Sequence, residues 1–185
     1  MQAAEAAQLL VAHLGARGVR RFVLSPGSRS APLAYALAAG EQSGRLKLHV
    51  RLDERSAAFF ALGLAKASGE PVAAICTSGT AVANFHPAVL EADLARVPFI
   101  ILTADRPAEL RGVLASQTID QVGFFGPAVR GSLDLPAPGP LPDGEAAANV
   151  VAAANWAVNL ATAKNRPGPV HLNLQYREPL IPQVA

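Results

Sequence analysis

Apolar residues recur along this chain in two rhythms, and the alternation of those rhythms predicts its elements. Ala7, Leu10, Val11 and Leu14 fall on one face at helical spacing, and Gly18 follows where a helix C-terminus favours it. Residues 22–24 form a short apolar run that predicts a buried strand, after which Pro32 suits the first turn of a second helix. The unit then repeats. Residues 46–50 and 72–77 predict strands, followed by helices over 57–67 and 81–96. Residues 98–104 are nearly all apolar, as strands covered on both faces of a parallel sheet are. A fifth strand is expected over 128–135, an alanine-rich helix over 145–163 and, past the break at Gly168-Pro169, an alternating sixth strand over 170–174. Strands and helices alternating through right-handed crossovers make an α/β fold, a doubly wound parallel sheet of about six strands with helices on both faces.

In such a sheet ligands collect at the carboxyl ends of the strands, so the loops that follow each strand carry the candidate chemistry. Glu54, in Leu52-Asp53-Glu54-Arg55-Ser56, stands where a strand stops and a helix starts and is the leading catalytic candidate. The competing reading is an acid that merely complements a helix dipole. In Ser25-Pro26-Gly27-Ser28-Arg29-Ser30 a tight turn gathers two hydroxyls and Arg29, suited to an anion, although Ser30 could be a plain N-cap. Arg106, in Asp105-Arg106-Pro107, either meets an anion or pairs with Asp105. Ser78-Gly79-Thr80 opens the next helix, and Gln117 and Asn84 are polar residues near these loops. Neither Gly-x-Gly-x-x-Gly after a strand nor Gly-x4-Gly-Lys-Ser/Thr occurs, which disfavours dinucleotides and ATP. Cys76 reads as a packed thiol, and His49 and His86 as structural.

With 185 residues, 51% of them hydrophobic, one compact domain is expected. A single cysteine offers neither a disulfide framework nor a metal-ligand cluster, which fits a reducing cytoplasm. The chain shows no signal peptide and no stretch approaching the ~18 apolar residues of a spanning helix. Net charge is only +2 with scattered arginines, so the expected partners are small anions and not nucleic acid. Pro136, Pro138, Pro140 and Pro142 alternate as an extended surface connection, and the tail 177–182 reads as an exit linker. These bounds predict a domain over 1–177 and a linker over 178–185 leading to further domains.

Five segments in series carry a resemblance: SPGSRS (25–30), DERSAAFFALGLAKASG (53–69), CTSGTAVAN (76–84), TADRP (103–107) and the stretch from Gln117 to Gln121. Together they resemble the family of 2-succinyl-5-enolpyruvyl-6-hydroxy-3-cyclohexene-1-carboxylate synthase (MenD), thiamine-diphosphate enzymes of menaquinone biosynthesis, over residues 22–180. The resemblance implies the N-terminal pyrimidine-binding domain of a homo-oligomeric transferase that decarboxylates 2-oxoglutarate and adds the succinyl-semialdehyde unit to isochorismate. It implies that Glu54 hydrogen-bonds the aminopyrimidine ring in catalysis, and that Ser78, Gly79 and Thr80 lie beside that ring. Ser28, Arg29, Arg106 and Gln117 are implied at the substrates, with Gln117 also in the catalytic set. The family's Gly-Asp-Gly motif, which holds diphosphate and Mg²⁺ together with a later asparagine, has no counterpart here, since Asp143-Gly144 lacks the preceding glycine. The metal is therefore expected in another domain, and this chain alone is expected to be inactive. Two alternatives stand beside this reading. An acetolactate-synthase-like relative would share Glu54 and the Ser78 loop without needing Arg29 and Arg106, and a flavodoxin-like module would bind without catalysis.

Overall fold

A computed structural model describes residues 1–139 and 144–181 of the chain. Its strands are β1 (Arg21–Leu24), β2 (Lys47–Val50), β3 (Val72–Cys76), β4 (Phe99–Asp105), β5 (Ser132–Leu135) and β6 (Pro169–Gln175). They form one six-stranded sheet in the order β2-β1-β3-β4-β6-β5, every pair parallel. Alternate residues of a strand face opposite ways, and both faces are covered. Phe22, Leu24, Ile75, Ile100 and Leu172 pack under helices α1 (Ala3–Ala16), α2 (Ala31–Gln42) and α5 (Glu145–Ala161). Val23, Ala74, Cys76, Phe99 and Ile101 pack under α3 (Glu54–Ser68) and α4 (His86–Leu94). The expected doubly wound α/β fold is what the chain forms, and two-sided burial is the reason its strands read as nearly continuous apolar runs.

Two local expectations are corrected. The helix expected over 81–96 is a 3₁₀ helix, Gly79–Phe85, followed by α4. Pro87 sits in the first turn of α4, and a proline there can neither donate to an upstream carbonyl nor leave room for an α-turn before it. The fifth strand is only Ser132–Leu135, because Gly126–Ala128 is a 3₁₀ turn. β6 alternates in sequence as expected, and all of it is buried, its polar His171, Asn173 and Gln175 included. Pro140, Pro142 and Asp143 of the proline-rich connection, and residues 182–185 of the expected linker, lie outside the described residues. Within that tail Leu180 is buried in the core beneath α1, α2 and α5.

The sheet order sets the position of the site. β1 lies between β2 and β3, and the helices that follow β1 and β3 go to opposite faces, so the crossovers diverge between these two strands, where a sheet of this order opens a crevice at its carboxyl edge.

Candidate active site

Because every pair is parallel, the ends of β1, β2, β3 and β4 lie on one edge, and the four loops singled out from the sequence emerge there together. Ser25 continues the β1–β3 ladder, its N–H donating to the Ile75 carbonyl at 2.8 Å. Gly27 then passes so close to Thr77 that a Cβ on it would stand 2.5 Å from the Thr77 Cβ, so the approach of the two loops requires glycine. Beneath that contact the Ser25 and Thr77 hydroxyls are buried without hydrogen-bond partners among the described residues. Ser30 is not a side-chain cap for α2. Its hydroxyl turns back to Gly27, accepting from the N–H at 3.1 Å and donating to the carbonyl at 3.0 Å.

At the head of α3 the two adjacent acids differ. Asp53 is the N-cap, its Oδ1 accepting from the Ser56 N–H at 2.7 Å, and that hydrogen bond holds its carboxyl below the usual range. Glu54 follows in the first turn, half-buried, with no hydrogen bond or ion pair among the described residues. α3 packs against β1, β3 and the 3₁₀ helix, which brings the Glu54 charge beside the end of β3. Burial, and then that charge, push the Cys76 thiol well above its ordinary pKa, so Cys76 is packed and un-ionised. His49 packs edge-on to Phe60, and His86 likewise to Phe125.

Arg106 reaches across the edge. One of its guanidinium nitrogens donates to Ser78 Oγ at 2.5 Å and to the Gln117 carbonyl at 2.6 Å. The Gln117 amide nitrogen donates in turn to the Ser78 carbonyl at 3.2 Å. Asp105 is not the ion-pair partner of Arg106, for Arg111 takes that place at 2.7 Å. Partial burial, and then the nearby Arg29 guanidinium, lower the Arg106 pKa against the opposing pull of Asp105. Two like charges therefore sit close together at this edge. Arg29 donates to the Tyr176 carbonyl at 2.8 Å and lies 3.5 Å from Glu178, with its Nε buried and unpartnered among the described residues. Ser28 and Thr80 are exposed, and the Thr80 carbonyl accepts from Asn84. Gly79 has φ +81, and a Cβ there would meet the Gln117 carbonyl oxygen at 2.9 Å. Gln117 has φ +55, a left-handed backbone uncommon for a residue with a side chain. The edge thus gathers Ser78, Gly79, Arg106 and Gln117 in one contacting set, with Arg29 near Arg106 and Glu54 at the neighbouring loop.

Behind them lies a buried polar network that the loop motifs did not disclose. Asn173 donates to Asp105 at 2.9 Å and to Asp134 at 2.8 Å, and its oxygen accepts from Thr103 at 2.8 Å and from Gln121 at 2.9 Å. Arg111 bridges both carboxylates, 2.7 Å from Asp105 and 2.9 Å from Asp134. Burial of Asp134 opposes its ionisation, but the bonds from Arg111, Asn173 and Gln175 more than offset this and leave its pKa lowered. The one sequence signal was the set of polar positions in β6, at 171, 173 and 175, which read equally well as a solvated face.

With this geometry in hand, comparison with known proteins is informative. Residues 4–124 match the sequence model of the thiamine pyrophosphate enzyme N-terminal TPP binding domain. Among curated relatives, a protein from Thermobifida fusca is 52% identical over 96% of this chain and 31% of its own length. One from Kineococcus radiotolerans is 57% identical over 95% of this chain and 32% of its own length. One from Lysinibacillus sphaericus is 53% identical over 93% of this chain and 29% of its own length. All three are named 2-succinyl-5-enolpyruvyl-6-hydroxy-3-cyclohexene-1-carboxylate synthase. The chain therefore spans about a third of the length of the curated relatives it matches. On the parallel sheet, the loops converging at its carboxyl edge and a family match covering most of its length, the chain belongs to the N-terminal TPP binding domains of thiamine pyrophosphate enzymes.

Proposed function

We propose that this chain is the pyrimidine-binding domain, over residues 1–177 with a linker over 178–185, of a synthase that joins a unit from 2-oxoglutarate to isochorismate in menaquinone biosynthesis. The observation that carries the reading is Glu54: the capping work at the head of α3 is done by Asp53, which leaves a half-buried carboxylate unengaged at the ligand-binding edge. Relatives more than 50% identical bear the synthase name, which favours it over an acetolactate-type enzyme or a non-catalytic module.

The residues present fit the pyrimidine end of thiamine diphosphate. An unengaged carboxylate can accept from a ring N–H, the unpartnered Ser25 and Thr77 hydroxyls lie buried just behind the same edge, and the absence of a Cβ at Gly79 lets Gln117 close in beside the turn. Among the described residues no group of three His, Cys, Asp or Glu could hold a metal ion; in this reading the diphosphate and Mg²⁺ are held by the rest of a cytoplasmic homo-oligomer. When bound, the cofactor supplies the electron sink on which a 2-oxo acid loses carbon dioxide. The chain's own part is positional and electrostatic. Glu54 holds a proton between its carboxylate and the ring nitrogen. Ser78, Gly79 and Thr80 line the ring. Arg29 and Arg106, with Ser28 and Gln117, receive substrate carboxylates at an edge whose positive charge is already concentrated. Gln117, whose amide oxygen has no partner among the described residues, also faces the reacting groups.

The test is the full-length protein assayed for consumption of 2-oxoglutarate with isochorismate, thiamine diphosphate and Mg²⁺, wild type against Glu54→Gln. Acid–base assistance contributes roughly 10²- to 10⁴-fold in rate, so a fall of that order in kcat is expected. A variant within about twofold of wild type, at a magnitude far below that range, would return Glu54 to a helix-dipole role.

A further inference from the structure

The connection from Arg106 to Gly131 contains only short 3₁₀ turns, yet it delivers Gln117 to the edge. Two of its own side chains hydrogen-bond to the sheet, Arg111, on Asp105 and Asp134, and Gln121, while Gln175 of β6 accepts from the Ala108 N–H. Gln121 is completely buried and uses its amide in two directions. Its Oε1 accepts from the Gly79 N–H at 2.9 Å, while its Nε2 donates to Asn173 Oδ1 at 2.9 Å and to the Ala104 carbonyl at 3.3 Å. The orientation is fixed chemically, since a backbone N–H can only donate and a backbone carbonyl can only accept.

We infer that Gln121 is a positioning residue of the cofactor site, locking the Gly79 peptide and through it the turn 78–80 to the Asn173 network. This rests on the reading of that turn as cofactor-facing. Gly79 lacks a Cβ and adopts φ +81, so little in its own chemistry restrains the peptide. Among the described residues its buried N–H has one acceptor, Gln121. The same turn carries the Ser78 hydroxyl that holds Arg106, so a loosened Gly79 would loosen both cofactor and substrate ends.

The test uses the full-length protein, thiamine diphosphate titrated calorimetrically in the presence of Mg²⁺, and hydrogen exchange followed on peptides covering residues 77–85. Gln121→Leu removes all three bonds. Gln121→Glu keeps the acceptor and, only when protonated, restores one of the two donated bonds. The charged and titratable groups around position 121 are Asp105 and Asp134, which lie one hydrogen bond beyond Asn173, with His171, Arg111 and Arg106. The two carboxylates and burial both favour protonation of a new carboxyl there. We expect Gln121→Leu to bind the cofactor about tenfold more weakly at pH 6 and at pH 8, the loss of a hydrogen bond of ordinary strength, with faster exchange confined to 77–85 and the neighbouring connection. Gln121→Glu should be weak at pH 8 and return to within about threefold of wild type at pH 6. Wild-type affinity and unchanged exchange in Gln121→Leu overturn the inference. If that variant does not fold, the glutamate variant decides alone, and cofactor affinity that stays weak at both pH values overturns it. A wild-type protein that fails to bind thiamine diphosphate would instead overturn the reading of the site.

Discussion

Two neighbouring acids at the head of α3 divide the work between them. Asp53 caps the helix, so Asp53→Ala should lower the melting temperature; unchanged melting would deny the cap. Glu54→Gln should leave melting where it is, because nothing among the described residues leans on that carboxylate. From the sequence either acid could have been the cap, and only the bond from the Ser56 N–H separates them. Arg106 shows the same dependence on geometry, for its neighbour Asp105 offered an obvious partner and Arg111 took it. Arg106→Ala and Arg29→Ala should each reduce kcat/KM for isochorismate by roughly ten- to a hundredfold, since bonds to charged groups contribute about 1.5 to 3 kcal/mol. Unchanged kcat/KM in both variants would leave Arg106 as a clamp on Ser78 and Gln117, and Arg29 as a tie to Tyr176.

At the scale of elements, β6 is where pattern and structure part. Its polar positions face a covered layer, with His171 edge-on to Phe125 at 4.9 Å and flanked by Thr103 and Ser132. Thr103 spends its one hydrogen on Asn173, so it accepts from the imidazole and His171 is the neutral Nε2–H tautomer. Burial holds its pKa down, from 6.5 to about 4, against the raising pull of Asp134. The unfolded chain therefore binds the proton first. Stability should fall as pH drops from about 6.5 to about 4 and lose nothing further from this group below that, a total of roughly 3 kcal/mol. Denaturant unfolding at stepped pH should show His171→Gln losing less than wild type across that window; parallel slopes for the two proteins would refute it.

For the molecule as a whole, the covered sheet and the shared edge have different consequences. Both faces of the sheet are filled by this chain's own helices, so the 185-residue chain should fold alone, with a cooperative melt and with Cys76 unreactive to thiol reagents until unfolded. Yet it spans only about a third of the relatives it matches, and the reading above places the diphosphate site in the remainder. The chain alone should therefore consume no 2-oxoglutarate when given thiamine diphosphate and Mg²⁺; turnover by it would show that its own residues suffice.

The sequence by itself determined the fold class, the number of strands and the four loops that meet at one edge. Apolar period and glycine–proline punctuation are local properties, and parallel crossovers permit few ways of assembling them. It also disclosed SPGSRS, Glu54, the Ser78 turn and Arg106, because a loop at a strand end advertises its chemistry in a few consecutive residues. The tertiary structure alone decided which acid caps α3, which arginine meets Asp105, and that Gln121, Asn173 and Asp134 form one buried network. The members of that network stand far apart in sequence, as Gln121 does from Gly79 and Asn173 from Asp105. A polar residue on an alternating strand has the same pattern whether water or another amide satisfies it. Only packing, which brings the 106–131 connection down over β6, settles which of the two it meets.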